Sequence, residues 1–174
     1  MNLILYLEKY LIKKKIYHLI FLSLLIIYLT FIVLKLWTIF TGNNDLDKLY
    51  LYIIFLVCVF SDIGGFIFGK TLKGKKLTKI SPNKTISGMI GSFTLSVSVV
   101  VIYFQRHFEI IDIIIFSILI SFISQIGDLT ISYLKRKAQI KNTGNMLPGH
   151  GGALDRLDGL IFAIPLGLFF KILL

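Results

Sequence analysis

The sequence predicts an all-α fold, a polytopic transmembrane helical bundle with cytoplasmic basic loops, and three observations carry that prediction. Hydrophobic residues make up 56% of the 174-residue chain and its mean hydropathy is +0.83, against an apolar share of roughly 45–50% in soluble domains. The apolar residues fall in runs long enough for a helix to cross a ~30 Å hydrocarbon layer, which takes about 20 residues. The Lys and Arg residues sit almost entirely between those runs.

About five spans and an amino-terminal interfacial helix are expected. Met1 to Ile12, followed by Lys13, Lys14 and Lys15, is short and amphipathic and is expected to lie in the interface. Ile16 to Phe40 forms the first span, with Lys35 able to snorkel outward near its end. A secretory signal fits poorly, because this run is too long for an h-region and no small-residue cleavage site closes it. Leu49 to about Phe68 makes the second span, Ile86 to Phe104 the third, Ile110 to Leu134 the fourth, and Leu160 to Leu174 a short fifth. No internal repeat or low-complexity linker interrupts the chain, so residues 1–174 are read as one integral-membrane domain.

Charge placement sets the topology. Of the 19 Lys and Arg, four precede the first span, six lie in Lys70–Lys84 and five in Lys135–Arg156. Lys48, Arg106 and Lys171 fall on the opposite side. The positive-inside rule therefore puts the amino terminus and both basic loops in the cytoplasm. The net charge of +10 reports topology and anionic lipid or phosphate partners, not nucleic acid. The single cysteine, Cys58, excludes a disulfide framework within the chain and a thiolate zinc cluster, and speaks against redox chemistry.

The chemistry concentrates between Ser132 and Asp158. Lys135, Arg136, Lys137, Lys141 and Arg156 share this stretch with a Pro-Gly-His-Gly-Gly turn and with Asp155 and Asp158, the composition of a phosphate and metal site. Ionisable groups within spans cost about 2.5–3.5 kcal/mol on insertion scales and mark function by default. Asp128 is the clearest example. Ser121, Gln125, Asp128, Ser132 and Lys135 recur at helical spacing and form one polar stripe. For the Ser and Gln residues an inter-helix hydrogen-bond seam is an equally good explanation, whereas a carboxylate leading into Lys135 and Arg136 reads as the wall of a site. Asp155 and Asp158, three residues apart, fall on one side of a helix start, where they also suit the positive end of the helix dipole. Hard carboxylates beside a basic, glycine-rich loop suit Mg2+, which takes one or two protein carboxylates and fills its shell with water and phosphate. Zinc fits poorly, with His18 and His107 far in sequence from His150. Guanidinium forks make Arg136 and Arg156 good phosphate ligands. His150 suits either a general base or a hydrogen-bond donor to phosphate or backbone.

Gly64-Gly-Phe-Ile-Phe-Gly-Lys-Thr71 matches the P-loop pattern G-x-x-x-x-G-K-[ST] letter for letter. A P-loop follows a β-strand in an α/β domain, and here a membrane span precedes the motif. The match is therefore read as accidental, and Lys73, Lys75 and Lys76 as a positive-inside anchor.

These residues together resemble the phosphatidate cytidylyltransferases, the CDP-diacylglycerol synthases. That family's signature, roughly S-x-x-K-R-x-x-x-K-D followed by P-G-H-G-G-x-L-D-R-x-D, is matched by Ser132, Lys135, Arg136, Lys141, Pro148, Gly149, His150, Gly151, Gly152, Leu154, Asp155, Arg156 and Asp158. Gln125 to Leu129 looks like its Q-x-G-D-L, and Asp62, Gly69, Lys70, Ser81, Pro82, Lys84, Thr85 and Gly88 look like a second conserved segment. The resemblance runs from about Asp62 to the end, and the amino-terminal third matches only as generic membrane helix. Three positions depart: Asn142 and Ser87 stand where the family has acids, and Gly159 where serine is common. Most relatives are longer, which makes this chain look like a reduced version.

The resemblance implies a nucleotidyltransferase of phospholipid biosynthesis, converting CTP and phosphatidate to CDP-diacylglycerol and diphosphate in the bacterial inner membrane. It implies Mg2+ held by Asp128 and Asp155, with any second cation unspecified, and phosphates gripped by Lys135, Arg136 and Arg156. The turn at Gly149, Gly151 and Gly152 would let the backbone approach the nucleotide, and Lys70 with Lys84 would close the site. Ser81, Thr85, Ser132, Lys141, His150 and Asp158 complete the expected substrate contacts. A homodimer is also suggested. The competing readings are a CTP-dependent polyprenol or phytol kinase, which takes an alcohol acceptor, and a small membrane transporter subunit with Asp128 on an ion path.

Overall fold

The computed structural model describes residues 2–78, 81, 84–137 and 154–171, with side chains except at 2–18, 21, 22 and 154–156. It is built of helices: α1 (Asn2–Thr41), α2 (Asp45–Leu72), α3 (Ile86–Phe104), α4 (Ile110–Lys137) and α5 (Leu154–Phe170). Among the described residues the one β-type pairing is an isolated antiparallel bridge between Lys76 and Thr85. Four of the helices contain stretches long and apolar enough to cross a membrane, and α5 is a shorter apolar helix. The protein is a multi-pass, transmembrane helical bundle.

Contacts divide the chain into two compact units, Met1–Asn44 and Asp45–Leu174. The first unit is α1. The interfacial segment expected before the first span is continuous with it in one 40-residue helix, because no glycine or proline interrupts residues 2–41 and lysine is a good helix former. Its hydroxyls are satisfied within the helix, Ser23 donating to the Ile20 carbonyl, Thr30 to Ile27 and Thr38 to Lys35, each at 2.8 Å. A membrane leaves no other cheap partner for them.

In the second unit, α2 packs most extensively on α3 and α4 on α5, while contacts of α2 with α4 and α5 and of α3 with α4 close the bundle. Its core is Ile53, Ile54 and Val57 of α2, Val100 of α3, Ile113, Phe116 and Ile120 of α4, and Ala163 of α5. The outward faces carry Phe55, Phe66, Ile90, Ile102, Ile111 and Phe122, all exposed, as expected where lipid is the solvent. Asp45 and Asp47 open α2, Asp112 opens α4, and Lys135, Arg136 and Lys137 close α4, each complementing the helix dipole.

Helix–helix contact in lipid depends on close packing, because apolar side chains are as well solvated by acyl chains as by one another. Glycine makes that contact here. A Cβ on Gly64 would lie 2.5 Å from the Gly91 carbonyl oxygen, and one on Gly88 2.7 Å from that of Gly65. The P-loop-like segment thus lies inside α2, with Thr71 donating to the Ile67 carbonyl at 2.8 Å, and its first two glycines serve the α2–α3 contact. α2 ends at Leu72, and Lys73 just past it has a left-handed φ of 44°, a conformation that commonly terminates helices.

The opposite end is tied by an ion pair between Asp47 of α2 and Lys171, just past α5. Lys171 also lies 5.4 Å from the centre of the Tyr50 ring, and Tyr50 meets Phe108 and Phe116 edge-on at 4.9 and 5.2 Å. Gly64→Ala is expected to lower stability by about 1–3 kcal/mol, the usual cost of overpacking. Denaturant titration of the detergent-solubilised protein checks this, with helix content before unfolding expected to match wild type.

Candidate active site

Two parts of the chain meet at one end of the bundle, the α2–α3 connection 73–85 and the end of α4 with the start of α5. The first is described in part and is held by main-chain hydrogen bonds: Leu77 N–H to the Lys84 carbonyl at 2.7 Å, Ile86 N–H to Lys75 at 2.9 Å and Lys84 N–H to Ser81 at 3.1 Å. Thr85 caps α3, its hydroxyl accepting from the Gly88 N–H at 3.1 Å. Ser87 accepts from the Gly74 N–H at 3.2 Å and pairs with the Thr85 hydroxyl at 3.1 Å. Ser87 thus pins the loop to the first turn of α3.

This loop covers a cavity of about 360 Å³ bounded by α2, α3, α4 and α5. Asp62, Ser81, Lys84, Thr85, Gln125, Asp128 and Asp158 line it, together with Ser61, Gly65, Phe66, Leu77, Gly88, Met89 and Ser92. Asp128 and Asp158 are close enough to interact directly. Each carboxylate has a lysine: Lys84 of the loop bonds Asp128, and Lys135 of α4 lies 3.8 Å from Asp158. Asp158 also accepts from the Gly159 N–H at 3.0 Å.

Glycine again explains why these acids meet. A Cβ on Gly127 would come 2.8 Å from the Phe162 ring and 3.1 Å from the Asp158 carbonyl oxygen, and one on Gly159 would collide with the Ser124 hydroxyl. The neighbours of the two aspartates are therefore the contact points at which α4 and α5 approach. In this chain Ser124 fills the space that a side chain at Gly159 would need.

Behind the cavity runs a seam of buried hydroxyls. Ser61 of α2 and Ser121 of α4 are hydrogen-bonded at 3.0 Å, Ser92 of α3 donates to the Ser61 carbonyl at 2.7 Å, and Gln125 donates to Ser121 at 3.4 Å. In a low-dielectric interior an unpaired hydroxyl costs more than a paired one gains, so the seam fixes how α2, α3 and α4 register.

The stripe from Ser121 to Lys135 therefore has two uses. Ser121 and Gln125 belong to the seam, while Asp128 and Lys135 belong to the acid–lysine cluster. Ser81, Lys84 and Thr85 lie at the cavity with them. Ser132 is half-buried on α4 outside the cavity lining, and Arg136 is exposed at its end. Lys70 is also exposed, 5.6 Å from the centre of the Phe66 ring, and does not line the cavity. Asp155 and Arg156 fall in the first turn of α5, but their side chains lie outside the described residues. Lys141, Gly149, His150, Gly151 and Gly152 lie wholly outside them.

Several lining residues were not singled out as site residues by sequence. Ser61, Ser92, Phe66 and Met89 carry no charge and sit in apolar context, and Leu77 is an uncharged residue among lysines. Ser61 and Ser92 had one available signal, hydroxyls in otherwise apolar spans beside Asp62 and Gly91. Among the described residues no three acidic, histidine or cysteine side chains converge as a ready metal cage. Two adjoining carboxylates with hydroxyls nearby and room for water do fit Mg2+, which needs few protein ligands, and the Lys84 ammonium on Asp128 shows that a cation is accommodated there.

Comparison with known proteins decides the family. The profile of the cytidylyltransferase family matches residues 1–173. The chain belongs to that family. It is 43% identical over 141 residues to a phosphatidate cytidylyltransferase of Rickettsia felis, covering 75% of this chain and 60% of the relative. It is 38% identical over 133 residues to the enzyme of that name from Bacillus subtilis, covering 72% and 49%. The matches thus span about half to three-fifths of those relatives' lengths. The fold is similar to the solved structure of an intramembrane enzyme for archaeal membrane lipid biosynthesis, with a TM-score of 0.55 at 19% identity over 73% of this chain and 79% of that one.

The Gly159 contact gives a test of the α4–α5 approach. Gly159→Ser is expected to lower stability by about 1–3 kcal/mol through overpacking. Adding Ser124→Ala should recover most of that loss, as measured by thermal unfolding in detergent.

Proposed function

We propose that this protein of the cytidylyltransferase family is a phosphatidate cytidylyltransferase, joining phosphatidate to the cytidylyl group of CTP with release of diphosphate. The observation that carries the reading is the pair of adjoining carboxylates, Asp128 and Asp158, each with its own lysine, in a cavity beneath a basic loop of an apolar bundle. The names of the relatives, about 40% identical over some three-quarters of the chain, support it.

The chemistry asks little of acid–base groups. A phosphate monoester has its second pKa near ~6, so its terminal oxygens are largely deprotonated at neutral pH. One of these oxygens attacks the α-phosphorus of CTP, the new P–O bond forms, and the bond to diphosphate breaks. The obstacle is charge, because an anion approaches a tetra-anion. Lys84 and Lys135 are positioned by their own elements to meet phosphate oxygens, and Arg136 and Arg156 add bidentate partners from the ends of α4 and α5. Asp128, with Asp155 as the resemblance implies and Asp158 alongside, would hold Mg2+. When bound, that ion would neutralise and align the triphosphate. Ser61, Ser92 and Gln125 hold one wall by the hydroxyl seam, and the acyl chains remain among the lipids that surround the bundle. The basic loops and amino terminus face the cytoplasm in this reading, where CTP is supplied.

The alcohol-kinase alternative gives a different product from the same nucleotide. Purified protein with radiolabelled CTP and phosphatidate should form CDP-diacylglycerol, whereas CDP and a phosphorylated alcohol would identify the kinase, and flux without CTP the transporter. Asp128→Asn and Asp155→Asn should each lower turnover at least ~100-fold, about 2.7 kcal/mol of transition-state stabilisation, with membrane insertion unchanged by carbonate extraction. Near-normal activity of either variant removes that residue as a required ligand. Chelation of divalent cations with EDTA should stop product formation, and added Mg2+ should restore it.

A further inference from the structure

Lys84 is the one basic residue among the described side chains that line the cavity, and its ammonium is committed to Asp128. Its main chain is held independently of that bond, by Ser81 on one side, Leu77 on the other and the Lys76–Thr85 bridge beside it. The ammonium therefore rides on a flexible four-carbon stem from a fixed anchor, and it can change partner without the loop moving. The side chains of Lys84 and Asp128 keep 28% and 27% of their surface exposed, against 14% and 11% for Lys135 and Asp158. Of the two acid–lysine pairs, the Lys84 pair is the one that solvent and ligand reach.

We propose that Lys84 is the resting counter-ion of Asp128 and makes divalent-cation binding at this carboxylate conditional on nucleotide. This rests on the reading of the site as one for a nucleoside triphosphate. With no nucleotide, the ammonium on Asp128 repels a divalent ion and occupies the oxygen it needs. A triphosphate offers the ammonium a more highly charged partner, and transfer of Lys84 to phosphate frees Asp128. Asp62 and Asp158 line the same cavity, so the freed carboxylate has other carboxylates beside it that attract a cation. Linkage then requires nucleotide and cation to strengthen each other's binding by the same factor.

The test uses the full chain in lipid nanodiscs with Mn2+ as probe. Protein-retained Mn2+ is measured by electron paramagnetic resonance at matched free Mn2+, with and without CTP and without phosphatidate. For wild type, CTP should tighten Mn2+ binding by about 10-fold or more, within the usual range of coupling. For Lys84→Met, nucleotide-free Mn2+ affinity should rise about 10-fold and the gain on adding CTP should shrink to roughly 2-fold. Lys76→Met removes the same charge from an exposed position in the same loop and should behave as wild type. Lys84→Arg retains the cation and should leave nucleotide-free affinity at or below the wild-type value. Equal nucleotide-free affinity in Lys84→Met and Lys76→Met overturns the proposal, as does wild-type affinity indifferent to CTP or a rise in Lys84→Arg. The product assay is separate: intact Mn2+–CTP coupling without CDP-diacylglycerol formation would remove phosphatidate as acceptor and leave the role of Lys84 standing.

Discussion

The close approach of helix backbones at glycine is the constraint on which the rest of this protein depends. In lipid, apolar side chains gain little by turning toward one another, so a bundle holds where surfaces fit tightly and where buried polar groups find partners. Gly64 and Gly65 against Gly88 and Gly91 bring α2 onto α3, and Gly127 and Gly159 bring α4 onto α5. The second contact puts Asp128 beside Asp158, and the first supports the wall opposite, at Gly65 and Gly88. A methyl group at these points would separate the helices that build the cavity.

Polar groups complete what glycine begins. The Ser61–Ser121 bond and the Ser92 bond to the Ser61 carbonyl join three helices, and they do so next to the cavity because the bundle is most polar there. At the far end Asp47 and Lys171 perform a similar task at the boundary, where charge is cheaper. Between them the core is Ile, Val and Phe. The bundle thus has a clamped end and a chemical end separated by an apolar middle.

Charge at the chemical end is arranged to be exchanged. Each carboxylate has an ammonium partner, and a lysine salt bridge that remains partly exposed contributes little stability of its own. Such a pair can give way to another partner at small cost. The loop that supplies Lys84 is fixed by its main chain and by Ser87, so the cation is delivered without relying on the carboxylate it contacts.

The sequence by itself determined the fold class and, to within about four residues at either end, the helices α2, α3 and α4, because runs of apolar residues and blocks of lysine follow the bilayer's thickness and polarity. It also marked Asp128, which has no reason to sit in a span unless something uses it. Periodicity grouped Ser121 and Gln125 with Asp128 but could not separate the seam from the site, since residues on one stripe of α4 differ in what faces them from other helices. Lys84 lies 44 residues from Asp128 and Ser61 lies 60 from Ser121, and no local pattern joins such positions. The tertiary structure alone decided those pairings, and with them that Lys70 stays outside the cavity lining, because the distance between two helices is set by the smallest residues at their contact, which spacing along one chain does not reveal.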